Sequence, residues 1–335
     1  MDKKFRVGIV GCGNIFPMHA YPVNALEQCE LVAVCDNKED RAKAKAAELG
    51  CKYYTDYKEM IAKENLDVLH CCTPHYMHPP ITIYALEHGL NVMTEKPMSI
   101  EYKDTVAMVE TAERCGKTLG VIFQNRYNPG SQLAKKVLDS GELGKVMGAK
   151  MNVTWMRTDE YYSKSDWKGT WDKEGGGVII DQAIHTFDLM RWLLDDEPEW
   201  VDVNIANRTH QLIQVEDSAE GVVKFKKTGI LASFYTINYY CTDSDIELEI
   251  YCENGIIRIT ADRGEVTFND GRKMIADKVP GEKFGYGNVK GYWGVSHIKQ
   301  IRAFYESLSK GEQQYINGKW YLFDKNTGAM KTGFQ

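Results

Sequence analysis

Three groups of residues in this chain carry side chains suited to chemistry on a small molecule. The first is Lys96, set in Glu95-Lys96-Pro97 directly after the apolar run Asn91-Val92-Met93-Thr94. A proline biases the residue before it towards extended backbone, so the ammonium would project from the end of a strand. That position suits proton exchange with a hydroxyl being oxidised. The plain alternative is a surface lysine paired with Glu95. The second group is Asp181 and His185, four apart and therefore on one face of a helix. A carboxylate that holds an imidazole in one tautomer and stabilises its protonated form is a working acid–base pair. The alternative is a helix-surface pair behind a flexible loop. Gly175-Gly176-Gly177, just before it, would let backbone come close to a ligand.

The third group binds rather than reacts. Phe5-Arg6-Val7-Gly8-Ile9-Val10 has the length and apolar character of a buried parallel strand, and it stops at Gly11-Cys12-Gly13. Pro17 then suits the first turn of a helix. A second apolar run, Leu31-Val32-Ala33-Val34-Cys35, ends at Asp36, about 20 residues past the glycines. Strand, glycine turn, helix, strand and acid make up a dinucleotide-binding unit. Gly11 permits the tight turn and Gly13 lets backbone approach a pyrophosphate at the helix N-terminus, while Asp36 would accept hydrogen bonds from the adenosine ribose. The third glycine of the usual pattern is replaced by Phe16.

The elements that position these groups alternate at first. Helices are expected over 38–49, 57–64, 79–88 and 101–115, and strands over 68–72, 91–94 and 118–122. Such alternation implies a parallel, doubly wound sheet, with ligands beyond the strand C-termini. Gly11, Asp36, Thr73 and Glu95-Lys96 all end strands, so they should lie along one edge. Beyond Gln124 the pattern changes to long strands with short turns over 146–155, 201–208, 219–225, 230–240, 246–252 and 256–260. Helices interrupt at 130–139, 180–194 and 297–309. This reads as an α+β domain with a large, open, mostly antiparallel sheet, one face needing a helix or a partner subunit.

A chain of 335 residues with 43% hydrophobic and 26% charged residues is an ordinary globular composition with room for two cores. A net charge of −6 argues against nucleic acid or anionic membrane as the main partner. No apolar run approaches the roughly 18 residues of a membrane span, and the N-terminus leads into a core strand instead of a signal peptide. Nine cysteines without a C-x-x-C pair suggest neither a disulfide framework nor a zinc site; a reducing cytoplasm fits, and no metal is expected.

Together these residues resemble the glucose–fructose oxidoreductase / inositol dehydrogenase (Gfo/Idh/MocA) family. The matching segments are Gly8-Ile9-Val10-Gly11-Cys12-Gly13-Asn14-Ile15, Cys72-Thr73-Pro74 followed by His78, Glu95-Lys96-Pro97, and Gly175-Gly176-Gly177 through Asp181 to His185. The resemblance implies a Rossmann domain over 1–123, a substrate-binding and oligomerisation domain over 124–311, and NAD-dependent transfer of hydride from a secondary hydroxyl of a sugar, amino sugar or cyclitol. It places the catalytic positions at Lys96, Asp181 and His185, with Lys96 or His185 as proton acceptor. Cofactor contacts fall to Gly11, Gly13, Asn14, Ile15, Asp36, Asn37, Arg41, Thr73, Pro74, His75, His78, Glu95 and Lys96. Asp36 favours NAD over NADP because a carboxylate repels a ribose phosphate; Lys38 and Arg41 weigh the other way. An aromatic-rich stretch, Trp155, Tyr161, Tyr162, Trp167 and Lys168, either walls the substrate pocket, since sugar C–H faces pack on aromatics, or packs the sheet or an oligomer interface. Arg126 and Tyr127 are further substrate candidates, with His185. Homodimers or homotetramers through the sheet face are implied. Two other readings are an NAD-dependent glycosidase working by transient oxidation and elimination, and a non-catalytic NAD-binding protein.

Residues 312–335 break with that family. Gln314-Tyr315-Ile316-Asn317-Gly318-Lys319-Trp320-Tyr321 and the residues after them resemble one choline-binding (cell-wall-binding) repeat. A single repeat cannot bury its own face, so the tail is read as a fusion, a truncation or a repurposed hairpin, not as a cell-wall anchor.

Overall fold

The computed structural model describes residues 4–278 and 296–310, with the backbone of 314–316, 319–323 and 330–331. By its internal contacts the chain divides into a first unit of residues 1–122 and 283–335 and a second of 123–282.

In the first unit, β1 (Phe5–Val10), β2 (Cys29–Cys35), β3 (Lys52–Tyr54), β4 (Val68–Cys71), β5 (Asn91–Thr94) and β6 (Leu119–Val121) form one sheet. All its pairings are parallel, in the order β3-β2-β1-β4-β5-β6 of a doubly wound nucleotide-binding sheet. Central β4 is buried throughout and is apolar apart from His70. Short β3 has Lys52 and Tyr53 exposed and no such run, so it is a strand without a sequence signature. Between the strands lie α1 (Phe16–Ala25), α2 (Glu39–Leu49), α3 (Tyr57–Glu64), α4 (His78–Glu87) and α5 (Tyr102–Cys115). Proline opens both α1 and α4, where a missing N–H costs no helical bond. Register brings the chemistry into line. Val10 pairs with Cys35 and with Cys71, and Cys71 with Thr94. The residues that follow, Gly11, Asp36, Cys72 and Glu95, therefore share one edge.

The second unit contains α6 (Pro129–Ser140), β7 (Val146–Thr154), α7 (Asp159–Ser163) and α8 (Ile184–Leu194). Seven more strands follow: β8 (Pro198–Ala206), β9 (Ser218–Phe225), β10 (Leu231–Ile237), β11 (Glu247–Cys252), β12 (Gly255–Thr260), β13 (Arg263–Phe268) and β14 (Lys273–Ala276). The eight strands run β14-β13-β12-β11-β7-β10-β9-β8, antiparallel except for the β7–β10 pair. Residues from α6 and α8, among them Val137, Leu189 and Leu193, pack on Met151, Phe234 and Ile250 of the sheet. Strand β10 alternates accordingly, with Ala232 and Phe234 buried and Leu231 and Tyr235 left exposed. The last two strands are short, and β14 at the sheet edge is largely exposed; neither is among the strands expected from the sequence.

One helix lies elsewhere than expected. α9 (Ser296–Lys310) belongs to the first unit, not the second. Its Ile301, Phe304 and Tyr305 join the core built by Val7, Ile9, Phe16 and Val23, and its Gln300 side chain donates to Val121 O at 2.7 Å. The apolar face of α9 covers the sheet that the N-terminal segment leaves open. In the tail, β15 (Gln314–Ile316), β16 (Lys319–Phe323) and β17 (Met330–Lys331) pair antiparallel. The turns and side chains that carry its aromatic repeat pattern lie outside the described residues.

Candidate active site

The nucleotide-binding turn is built from backbone. Gly11 has φ 95°, and a Cβ there would stand 2.4 Å from Cys72 O, so only glycine allows β1 to exit so close to β4. A side chain added at Gly13 would meet nothing within 4 Å, leaving open space over the turn. Asn14 is exposed, and Ile15 caps α1 without a side-chain bond to the helix N–H groups. The open space over Gly13, at the start of α1, suits a pyrophosphate. Phe16 is taken into the core beside Val7 and Ile9. Asp36 is buried and accepts from Cys12 N and Lys38 N, each at 2.9 Å, with Arg41 Nη1 at 3.3 Å. The acid thus ties the glycine turn to the end of β2. Asn37 is exposed beside it.

Thr73 and Pro74 follow β4. His78, fully buried, contacts Thr73 O at 2.8 Å through Nε2 and Pro97 O at 2.7 Å through Nδ1, clamping the β4 and β5 exits together. His75 is buried beside it. Both histidines, expected at the cofactor, are buried behind the loops that follow β4 and β5. Glu95 is likewise turned inward: it is buried, with His19 Nε2 2.9 Å from its carboxylate. Lys96, by contrast, is half-buried at the sheet edge, followed by a cis bond to Pro97.

In the second unit the triple glycine serves packing. A Cβ at Gly177 would stand 1.8 Å from Glu216 O, and Glu216 accepts from Gly177 N at 2.9 Å and Ile179 N at 3.1 Å. The close approach is to a neighbouring segment. A π-type turn over Ile179–Ala183 precedes α8, so Asp181 and His185 do not share one regular α-helix. Asp181 Oδ2 accepts from Tyr161 OH at 2.7 Å, Lys168 Nζ at 2.8 Å and Gln182 Nε2 at 2.6 Å. The His185 ring meets Phe123 edge-on at 6.0 Å.

Several residues expected to touch substrate make bonds within the second unit. Arg126 forms a two-point pair with Asp188, its Nε 2.7 Å from Oδ2, and its charge is spent on α8. Tyr162 is buried, accepting from Asn238 at 2.8 Å. Trp155 donates its indole N–H to Ser244 O at 3.0 Å and packs on the sheet core. Tyr127 is half-buried, and burial raises its phenol. Lys168 lies 4.5 Å over the Trp167 ring and 4.8 Å over that of Tyr161, with Glu174 Oε1 at 3.2 Å as a second carboxylate. Burial works to lower the Lys168 ammonium, but Asp181, Tyr161 and Glu174 outweigh it and hold it well above the usual amine range.

Glu174 gave no signal in the sequence. Burial, then the charge of Asp181, pushes its carboxyl up to about 7, against the pull of Lys168 and the Gly169 N–H. A carboxyl raised by folding lends stability that is full below its ordinary value near 4.5 and is lost as pH climbs through 7. Glu174→Gln, which imitates the neutral acid, should therefore gain stability over the unmodified protein as pH rises from 5 to 8, by about 1–3 kcal/mol. Urea unfolding at both pH values measures this; an equal difference at each would contradict it.

With this geometry in hand, the comparisons are consistent. Residues 5–123 match the model of an oxidoreductase family with an NAD-binding Rossmann fold, and residues 131–258 match the Gfo/Idh/MocA C-terminal domain. The chain belongs to the Gfo/Idh/MocA family of oxidoreductases. It is 31% identical over 251 residues to D-glucoside 3-dehydrogenase of Escherichia coli, covering 69% of each. To myo-inositol 2-dehydrogenase of Thermotoga maritima it is 24% identical over 318 residues, 94% of this chain and 91% of the relative. The solved WlbA dehydrogenase of Chromobacterium violaceum, in complex with NADH and UDP-GlcNAcA, is 30% identical with TM-score 0.76 over 90% of this chain and 87% of that one.

Proposed function

We propose that this chain oxidises a secondary hydroxyl of a sugar, amino sugar or cyclitol with NAD. When bound, NAD supplies the hydride acceptor. The observation that carries the reading is the single sheet edge on which the glycine turn, Asp36 and Lys96 follow strands in register. Lys96 or His185 takes the hydroxyl proton, and Asp181, fixed by three donors, holds a negative charge in the substrate unit. Tyr161 and Trp167 offer faces to a sugar ring. A panel of free inositols, glucosides and nucleotide sugars, scored by NADH absorbance, tests the proposal. Consumption of a glycoside without net NADH would assign transient oxidation and elimination instead. NAD binding without any turnover would assign a non-catalytic role.

Asp36 sets the cofactor preference in this reading. Calorimetry should show NAD(H) binding at least about 10-fold tighter than NADP(H). Asp36→Ala should narrow that gap, since it also frees Arg41 to meet a ribose phosphate; tighter NADP(H) binding by the unmodified protein would overturn the assignment.

Leu231 and Tyr235 on the outer sheet face, 53% and 42% exposed, support self-association into a dimer or tetramer there. Nine free thiols suit a reducing compartment such as the cytoplasm; among the described residues no helix is long and apolar enough to cross a membrane. The tail resembling a cell-wall-binding repeat is proposed as an appended hairpin with no part in the reaction.

A further inference from the structure

Buried polar side chains cross the first unit in an unbroken line. Glu95 Oε1 lies 2.9 Å from His19 Nε2 and 3.5 Å from His297 Nε2. His19 Nδ1 is 2.8 Å from His70 Nδ1, and His70 Nε2 is 2.8 Å from the Tyr305 hydroxyl. His19, His70 and Tyr305 are 0% exposed, His297 2% and Glu95 5%. They come from α1, β4, the end of β5 and α9. At the near end, the other Glu95 oxygen accepts the Lys96 backbone N–H at 3.2 Å.

The bonds have a direction. A neutral imidazole donates through one nitrogen and accepts through the other, so the donor at one end of the line sets the donor at the other. If Tyr305 donates to His70 Nε2, then His70 Nδ1–H donates to His19 Nδ1, and His19 Nε2–H is left to donate to Glu95. Reversed, a neutral His19 would turn a lone pair towards the carboxylate. Only the first direction keeps two neutral imidazoles and an ionised Glu95. For His70 the direction agrees with a neutral ring: burial pushes it well below the usual imidazole range. Burial works to raise Glu95, but the bonds from His19 and His297 outweigh it and hold the carboxyl well below the usual range.

We infer that Tyr305, His70, His19 and Glu95 are positioning residues that fix the backbone of Lys96, so that α9 governs the placing of the lysine. Burying an ionised carboxylate is costly unless it is hydrogen-bonded, and His19, His297 and the Lys96 N–H supply those bonds. Among the described residues, the group it holds at the sheet edge is the Lys96 peptide, clamped from the other side by His78 through Pro97 O. The inference rests on the role proposed for Lys96.

The test uses Tyr305→Phe, Glu95→Gln and their combination in the full chain. Amide hydrogen exchange at Lys96 needs no substrate, and should quicken several-fold in Tyr305→Phe. On the panel compound that the unmodified protein turns over fastest, Glu95→Gln should lower kcat by up to about 100-fold, as a misplacement near 1 Å does. Tyr305→Phe should lower kcat by roughly 3- to 10-fold, with KM and NADH affinity nearly unchanged. The double variant should be no slower than Glu95→Gln, because a line broken once cannot be broken again. If Glu95→Gln does not fold, His19→Gln replaces it. Unchanged exchange and kcat in Tyr305→Phe, or losses that multiply in the double variant, would overturn the inference. Lys96→Ala separates the two readings: near-normal turnover in that variant refutes the role of Lys96, whereas exchange at the Lys96 amide still reports on the line.

Discussion

Lys96→Ala and His185→Ala should each leave NADH binding nearly intact while lowering turnover by about 100-fold to 10,000-fold, the usual loss on removing one proton-transfer group. Lys96 sits half-buried at the carboxyl edge of β5, and His185 begins α8 after a π-type turn. Asp181→Asn should also slow turnover, and it should cost stability besides. An amide cannot offer the same acceptor to Tyr161, Lys168 and Gln182 together. Steady-state kinetics on a confirmed substrate, with NADH fluorescence titration, checks all three. Near-normal turnover in both the Lys96 and His185 variants would place the chemistry elsewhere.

Lys168→Met should destabilise the protein by about 3–5 kcal/mol, the range for removing one partner of a buried ion pair. Its ammonium lies 2.8 Å from Asp181 and 3.2 Å from Glu174, and removing it leaves two largely buried carboxyl groups facing each other. Glu174 can stay protonated, but Asp181 would have to remain charged on the two donors left to it. If Lys168 were chiefly a substrate contact, the variant would unfold like the parent in urea and lose only affinity. A stability loss below about 1 kcal/mol would show that this pair contributes no more than an exposed one.

The parts of the fold that were legible in the sequence are those governed by local pattern. Buried parallel strands show as unbroken apolar runs, and the glycines, Asp36 and Lys96 stand at their ends, so the edge could be read from spacing alone. Partnerships between distant residues could not. Lys168 is thirteen positions from Asp181, in a loop without period, and nothing local announces that pair. Arg126 and Tyr162 read as pocket residues because type and neighbourhood suggested it; their bonds to Asp188 and Asn238 depend on tertiary placement. His70 did carry a signal: a histidine inside Val68-Leu69-His70-Cys71 has no water to bond and needs a protein partner. That its partners include Tyr305, 235 residues on, could not be seen.

The return of α9 to the first unit bears on how the protein is made. The nucleotide-binding core is closed by Ile301, Phe304 and Tyr305, which leave the ribosome only after the whole of residues 123–282 has been translated. At about 5–20 residues per second, that leaves the nascent N-terminal sheet without its last covering helix for on the order of 10–30 s. During that interval its β1 and α1 surface is exposed, and Glu95 and His70 lack their α9 partners. The second unit, contiguous in sequence, can fold while the first still waits. Chaperone demand during synthesis should therefore fall on the N-terminal segment.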